Sequence, residues 1–201
     1  MPKRRRFPHG FRQHGDLALK GTWGRRRKRK GYANPVPAYL GLGLIMVEVG
    51  QKAPDFTMPS DEGKPVTLSK ELGHGPVVLS FYVFDFTGVC QGQLCAMRDS
   101  MADLGRYGAK VFGISTDSPH SHKAFRAANQ INYPLLSDWN KGVSKAYGVL
   151  NDKFGDYLGV SKRSVFVLDR NGVVRYKWVT EDAKVPPDAK RVLEEVKKLA
   201  A

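Results

Sequence analysis

VVLSFYVFDFTGVCQGQLCAMRD, residues 77–99, changes character once along its length. Its first part is an apolar, β-branched and aromatic run (Val77, Val78, Leu79, Phe81, Tyr82, Val83) that reads as a buried strand. After the turn at Phe86, Thr87 and Gly88 the pattern becomes helical. Leu94, Met97, Met101 and Leu104 form an apolar stripe that holds this helix against a sheet, and Gly108 is its expected end. Cys90 therefore falls in the first turn of a helix. Unpaired backbone N–H groups and the positive end of the helix dipole converge there and favour a thiolate over a thiol, which makes Cys90 a candidate nucleophile. Thr87, three residues earlier, caps the helix or offers its hydroxyl to the sulfur or to an oxygen of a bound substrate. Cys95, five residues on, is the only other cysteine of the chain.

Upstream of this stretch, Phe56–Met58 and Val66–Leu68 read as short strands around the turn Asp61-Glu62-Gly63-Lys64, an N-terminal β-hairpin. Downstream, Val111–Ser115 is a second buried strand, and Asp117-Ser118-Pro119 opens a helix that runs through Phe125 to the region of Asn129. Tyr133–Leu136 is a third short strand, followed by a helix over Gly142–Tyr147. Ser164–Leu168 and Val173–Trp178 flank Asp169-Arg170-Asn171-Gly172, whose Asn-Gly signals a hairpin turn. Pro187–Ala200 closes the chain as an amphipathic helix with Val192, Val196 and Leu199 inward. This alternation implies an α/β fold, a central mixed sheet flanked by helices in the order of a thioredoxin-like fold. No internal repeat is visible.

Length and a hydrophobic content of 41% suit one domain with a full core. The formal net charge of +14 invites a nucleic-acid or anionic-surface reading, but the charge is unevenly placed. Residues 1–45 hold 12 Lys and Arg against a single acid, and the remainder holds 21 against 18. The first 45 residues, with basic clusters at Lys3–Arg6 and Arg25–Lys30, are expected to be a disordered extension, and residues 46–201 the folded domain. Met46 is the expected natural start, which N-terminal sequencing of native protein checks. The rival reading is a basic tail that binds nucleic acid, recognised by a steep salt dependence that disappears when residues 1–45 are removed. No apolar stretch approaches the ~20 residues of a spanning helix, and no export signal is recognisable. Two cysteines then fit a reducing compartment, and the cytoplasm is expected.

Thr87-Gly88-Val89-Cys90, after Phe81-Tyr82-x-x-Asp85-Phe86 and before Arg98-Asp99, resembles the peroxidatic-cysteine motif of the peroxiredoxins, in which Thr-x-x-Cys opens the second helix. Gly50-Gln51-Lys52-Ala53-Pro54-Asp55-Phe56 is similar to the opening of many members, and the likeness runs from Val47 to the C-terminus. TGVCQGQLC is similar to the alkyl hydroperoxide reductase E-type subgroup, whereas a second cysteine five residues on resembles the Q-type, or bacterioferritin comigratory, subgroup. Val83 stands where the family signature has proline, and Gly88 where many Q-type members have it.

The resemblance implies a thioredoxin-like fold and a thiol-dependent peroxidase acting on hydrogen peroxide or organic hydroperoxides without metal or organic cofactor. Attack of the Cys90 thiolate on an O–O bond gives a sulfenic acid, and the leaving oxygen then needs hydrogen-bond donors. Arg163, in Lys162-Arg163-Ser164-Val165-Phe166, lies where the family has its active-site arginine. The alternative for Arg163 is a solvent-exposed charge at a strand edge. Gln93 sits where related motifs carry Glu or Gln, oriented toward arginine or facing solvent.

Cys95 is the resolving cysteine that Q-type resemblance implies, with a thioredoxin-like reductant, or else a core residue of a one-cysteine enzyme recycled by an external thiol. On a regular helix Cys90 and Cys95 would have Cα atoms ~8.6 Å apart, beyond the ~7 Å that a disulfide tolerates. A bond between them requires the start of the helix to unwind, which Gly92 makes easier. A thiol-disulfide oxidoreductase fits less well, because Cys-x-x-x-x-Cys replaces Cys-x-x-Cys. His120 and His122 make a poor metal pair, Asp85 has no recognisable acid/base partner, and monomer and homodimer both stay open.

Overall fold

The computed structural model describes residues 46–200, and the basic segment 1–45 lies outside the described residues. The chain enters through the expected hairpin, β1 (Thr57–Pro59) paired antiparallel with β2 (Pro65–Thr67), followed by the short helix α1 (Leu68–Glu71). Then come β3 (Val77–Phe81), α2 (Gly88–Asp99), α3 (Met101–Arg106), β4 (Lys110–Ser115), α4 (Pro119–Ala128), β5 (Leu135–Ser137) and α5 (Gly142–Ala146). The last third holds β6 (Leu150–Phe154), β7 (Tyr157–Ser161), β8 (Ser164–Leu168), β9 (Val174–Val179) and α6 (Ala189–Ala200).

Five strands form one mixed sheet in the order β5-β4-β3-β8-β9. β3 lies at its centre, parallel to β4 and antiparallel to β8, and every residue of it is buried. A strand covered on both faces needs apolar side chains pointing both ways, which is why Val77–Phe81 is a continuous run rather than an alternating one. On one face Val78 and Tyr82 meet Leu94 and Met97 of α2, Phe125 of α4 and Val192 and Val196 of α6. On the other, Val77, Leu79 and Phe81 meet Met58, Leu68, Tyr147 and Phe166. The Phe81, Tyr147 and Phe166 rings pack there with centroids 5.3–5.9 Å apart.

The structure corrects one reading and adds one element. The single helix expected up to Gly108 is two, because Ser100 turns its hydroxyl back onto Ala96 O (3.0 Å) and its N–H onto Met97 O, breaking the ladder between α2 and α3. The β6–β7 hairpin has no counterpart in the sequence reading. Its strands are half-exposed and carry no clean apolar period, so they gave no signal until paired. Leu199 faces inward as expected, partly buried against the cluster that holds the fully buried Val192 and Val196.

The β8–β9 connection turns at Gly172 (φ +78), but Asp169 organises it. Its carboxylate accepts the N–H groups of Asn171 (2.8 Å) and Val173 (3.0 Å) and Nε of Arg175 (2.8 Å). Burial opposes ionisation of Asp169, yet these donors outweigh it and hold the carboxyl below the usual aspartate range. A group whose folded-state pKa is lowered stabilises the fold above its unfolded pKa and loses that contribution as pH falls through the folded value. Asp169→Asn is therefore expected to cost about 1–2 kcal/mol at neutral pH. Denaturant melts should show the gap to wild type closing in acid.

Candidate functional site

α2 begins where β3 ends, near the middle of the sheet. Thr87 is its N-cap residue with extended backbone, and Gln91 N–H makes the first helical bond, to Thr87 O at 2.8 Å. The N–H groups of Gly88, Val89 and Cys90 therefore precede the ladder without intrahelical acceptors. Cys90 is 1% exposed, in the first turn as expected from its spacing. The Thr87 hydroxyl does not cap the helix; it donates to Phe84 O at 3.0 Å, which corrects the capping alternative and leaves its lone pairs as acceptors.

Arg163, 73 residues along the chain from Cys90, comes to the sulfur because β8 lies beside β3. It is 2% exposed, so the strand-edge alternative does not hold. Its Nη2 donates toward Cys90 Sγ at 3.5 Å and to Ala183 O at 2.6 Å, Nε donates to Ala183 O at 3.0 Å, and Nη1 donates to Gln93 Oε1. These hydrogen bonds reach two neutral oxygens and one sulfur. Among the described residues no carboxylate shares a hydrogen bond with this buried guanidinium, and its Nη2 points at the Cys90 sulfur.

Gln93 does not face solvent. It is buried one turn beyond Cys90, and its amide donates to Ser80 Oγ (2.9 Å) and Phe81 O (3.2 Å) while its oxygen receives Arg163. Ser80 is the one polar residue of β3, and this bond explains it. Cys95 is half-buried, both cysteines are free thiols, and α2 is unbroken across them. Next to Cys95, the Leu94 carbonyl accepts the Tyr133 hydroxyl at 3.0 Å, and Arg98 Nη1 reaches Asn129 O at 2.7 Å. Thr87, Cys90 and Arg163 thus gather at the helix start, with Cys95 beyond the first turn.

The sequence reading missed a second constellation beside this one. Asp85 has partners after all: Tyr82 donates its hydroxyl to Oδ1 at 2.7 Å, and His122 Nδ1 lies 2.9 Å from Oδ2. His122 lies 37 positions from Asp85 along the chain, beyond the reach of any local spacing pattern. Among the described residues, no group of three or more His, Cys, Asp and Glu is arranged to hold a metal ion, and no helix is long and apolar enough to cross a membrane.

Residues 49–177 match the AhpC/TSA family. The chain is 45% identical over 146 residues to the chloroplastic Peroxiredoxin Q of Arabidopsis thaliana, covering 72% of this chain and 66% of that one. It thus spans just under two thirds of that relative's length. Among solved structures, peroxidoxin BcpB from Mycobacterium tuberculosis is similar with TM-score 0.68 and 31% identity, over 76% of this chain and 98% of that one. The bacterioferritin comigratory protein of Xanthomonas campestris, whose structures address its alkyl peroxide reduction activity, gives TM-score 0.66 and 26% identity over 77% and 98%. These likenesses resolve the mixed subgroup resemblance toward one side: the chain belongs to the AhpC/TSA family and is a peroxiredoxin of the Q, or bacterioferritin comigratory, type.

Proposed function

We propose that the protein is a thiol-dependent peroxidase that reduces hydrogen peroxide and organic hydroperoxides, with Cys90 as the peroxidatic residue. The observation that carries this is the Arg163 guanidinium, buried with no carboxylate among its hydrogen-bond partners in the described residues, 3.5 Å from the Cys90 sulfur at a helix start. The thiolate attacks one peroxide oxygen, the O–O bond breaks, and its electron pair leaves with the other oxygen, which takes a proton to become water or an alcohol. Cys90 is left as the sulfenic acid. Arg163 and the free N–H groups of the first turn stabilise the charge on the oxygens during that transfer, and the Thr87 oxygen accepts the peroxide O–H.

Cys95 closes the cycle. Its thiolate attacks the Cys90 sulfenic sulfur, an S–S bond forms, and the hydroxyl leaves as water after protonation. The helical spacing, ~8.6 Å between Cα atoms, requires the first turns of α2 to unwind. That movement withdraws Gln93 from Arg163, Ser80 and Phe81, and takes the Leu94 carbonyl off Tyr133. A thioredoxin-like dithiol then reduces the disulfide, and this need for continual reduction suits a reducing compartment such as the cytoplasm.

Intact mass after one equivalent of hydrogen peroxide tests both parts. Loss of two protons, with neither thiol trappable and no covalent dimer, is the expected result. In Cys95→Ser the expected product is instead Cys90 with one added oxygen, and multiple turnover with thioredoxin falls by roughly tenfold or more. One added oxygen in wild type with Cys95 still trappable would make the enzyme one-cysteine, recycled by an external thiol. Unchanged mass would remove the peroxidase reading altogether.

A further inference from the structure

Phe86, the residue before Thr87, holds φ +55. Left-handed backbone is unfavourable for a bulky L residue and persists only where the surroundings over-determine it. Here they act on its neighbour. Asp85 is gripped from two directions: its N–H donates to Asp117 Oδ2 at 2.8 Å, and its buried carboxylate receives Tyr82 and faces His122 Nδ1 at 2.9 and 3.1 Å. His122 is fully buried on α4, with its Nε2 3.2 Å from the Leu136 carbonyl of β5 and its Nδ1 also 3.1 Å from the Tyr82 hydroxyl. Asp117 also receives the Ser115 hydroxyl at 3.1 Å. Burial, reinforced by Asp85, pushes the Tyr82 phenol well up, so it stays a donor.

Tyr82 just past β3, Asp117 just past β4 and His122 on α4 therefore converge through polar atoms on the residue that precedes the strained one, with Ser115 of β4 and Leu136 of β5 behind them. The Phe86 ring adds a contact on the same helix, edge-on to Phe125 with centroids 5.0 Å apart, although Phe86 itself is largely exposed. A buried polar network stabilises a fold less readily than apolar packing of the same volume, but it is far more particular about geometry. What it constrains is the turn that aims the first N–H groups of α2.

We propose that Tyr82, Asp85 and His122 are positioning residues for Cys90: they hold Phe86 left-handed and so set the start of α2 beneath the sulfur and opposite Arg163. This rests on Cys90 being the reacting thiol. None of the three touches the substrate; they act through the 85–87 turn. Releasing Asp85 lets Phe86 relax to ordinary backbone, which rotates Thr87 and the following amides out of alignment.

The test is a double-mutant cycle in Cys95→Ser protein, where Cys90 is the only thiol. Two rates are measured on folded protein, oxidation by hydrogen peroxide and alkylation by iodoacetamide. H122A is expected to slow both by roughly tenfold or more. H122N should recover most of that, because its amide N–H reaches Asp85. In the F86G background the cost of H122A should shrink to about threefold or less, since glycine takes a positive φ without penalty. A purely structural role for His122 predicts equal cost in both backgrounds. Equal cost, or H122N as slow as H122A, overturns the proposal. If H122A does not fold, D85N takes its place, with a loss of a few fold and the same suppression by F86G expected. Coupling seen in alkylation while peroxide leaves Cys90 untouched would keep the positioning and remove the peroxidase reading; peroxide oxidation without coupling would do the reverse.

Discussion

Replacing Arg163 by methionine is expected to lower the second-order rate of Cys90 oxidation by hydrogen peroxide by roughly 10²–10³-fold. Two losses combine. On the proposed reaction, the Cys90 sulfur loses the guanidinium nitrogen 3.5 Å away, and the departing oxygen loses a donor where its charge develops. Lysine is not an adequate substitute, because a single ammonium cannot span Cys90, Gln93 and Ala183 as the planar fork does. Arg163→Lys is accordingly expected to fall between wild type and methionine. Arg163 also packs in the interior, so stopped-flow rates should be compared with melting curves. A loss of rate that merely follows a loss of folded protein would show Arg163 to be a structural cation and leave the anion-stabilising role without support.

The other large effect is at the proposed nucleophile. Cys90→Ser is expected to reduce peroxide consumption to the background of buffer, because a serine hydroxyl stays protonated beside Arg163 and is a far weaker nucleophile toward oxygen. The substitution is nearly isosteric at a site 1% exposed, so the fold should persist. Cys95 then remains a free, half-buried thiol open to alkylation, and one equivalent of peroxide should leave the mass of the variant unchanged. Peroxide turnover retained in Cys90→Ser would transfer the chemistry to Cys95 and overturn the assignment of roles.

Much of the site was legible because it is local. Thr87, Gly88 and Cys90 sit within one turn, where spacing alone places the sulfur at a helix start, and β3 announced itself through an unbroken apolar run. The β8–β9 turn was legible for the same reason, through Asn171-Gly172. Arg163 was reached through resemblance and not through spacing, since no local pattern distinguishes a buried arginine from an exposed one. Gln93 was read as ambiguous, and its burial against Ser80 and Arg163 follows from which face of α2 meets the sheet. Half-exposed strands such as β6 and β7 carry no periodic apolar signal, so pairing alone reveals them.

The chain's own order of residues settles the α/β class, the strand-turn-helix that exposes first-turn amides to Cys90, and the geometric conflict between that helix and a Cys90–Cys95 bond. Those properties depend on period, capping and covalent reach, which act over a few residues. Only the tertiary structure decides that β8 delivers Arg163 to the sulfur, that Gln93 bridges Arg163 to β3, and that His122 holds Asp85. These contacts join residues 13 to 73 positions apart. Their energy comes from excluding water around paired polar groups, a condition that exists only once the sheet and its helices have closed over them.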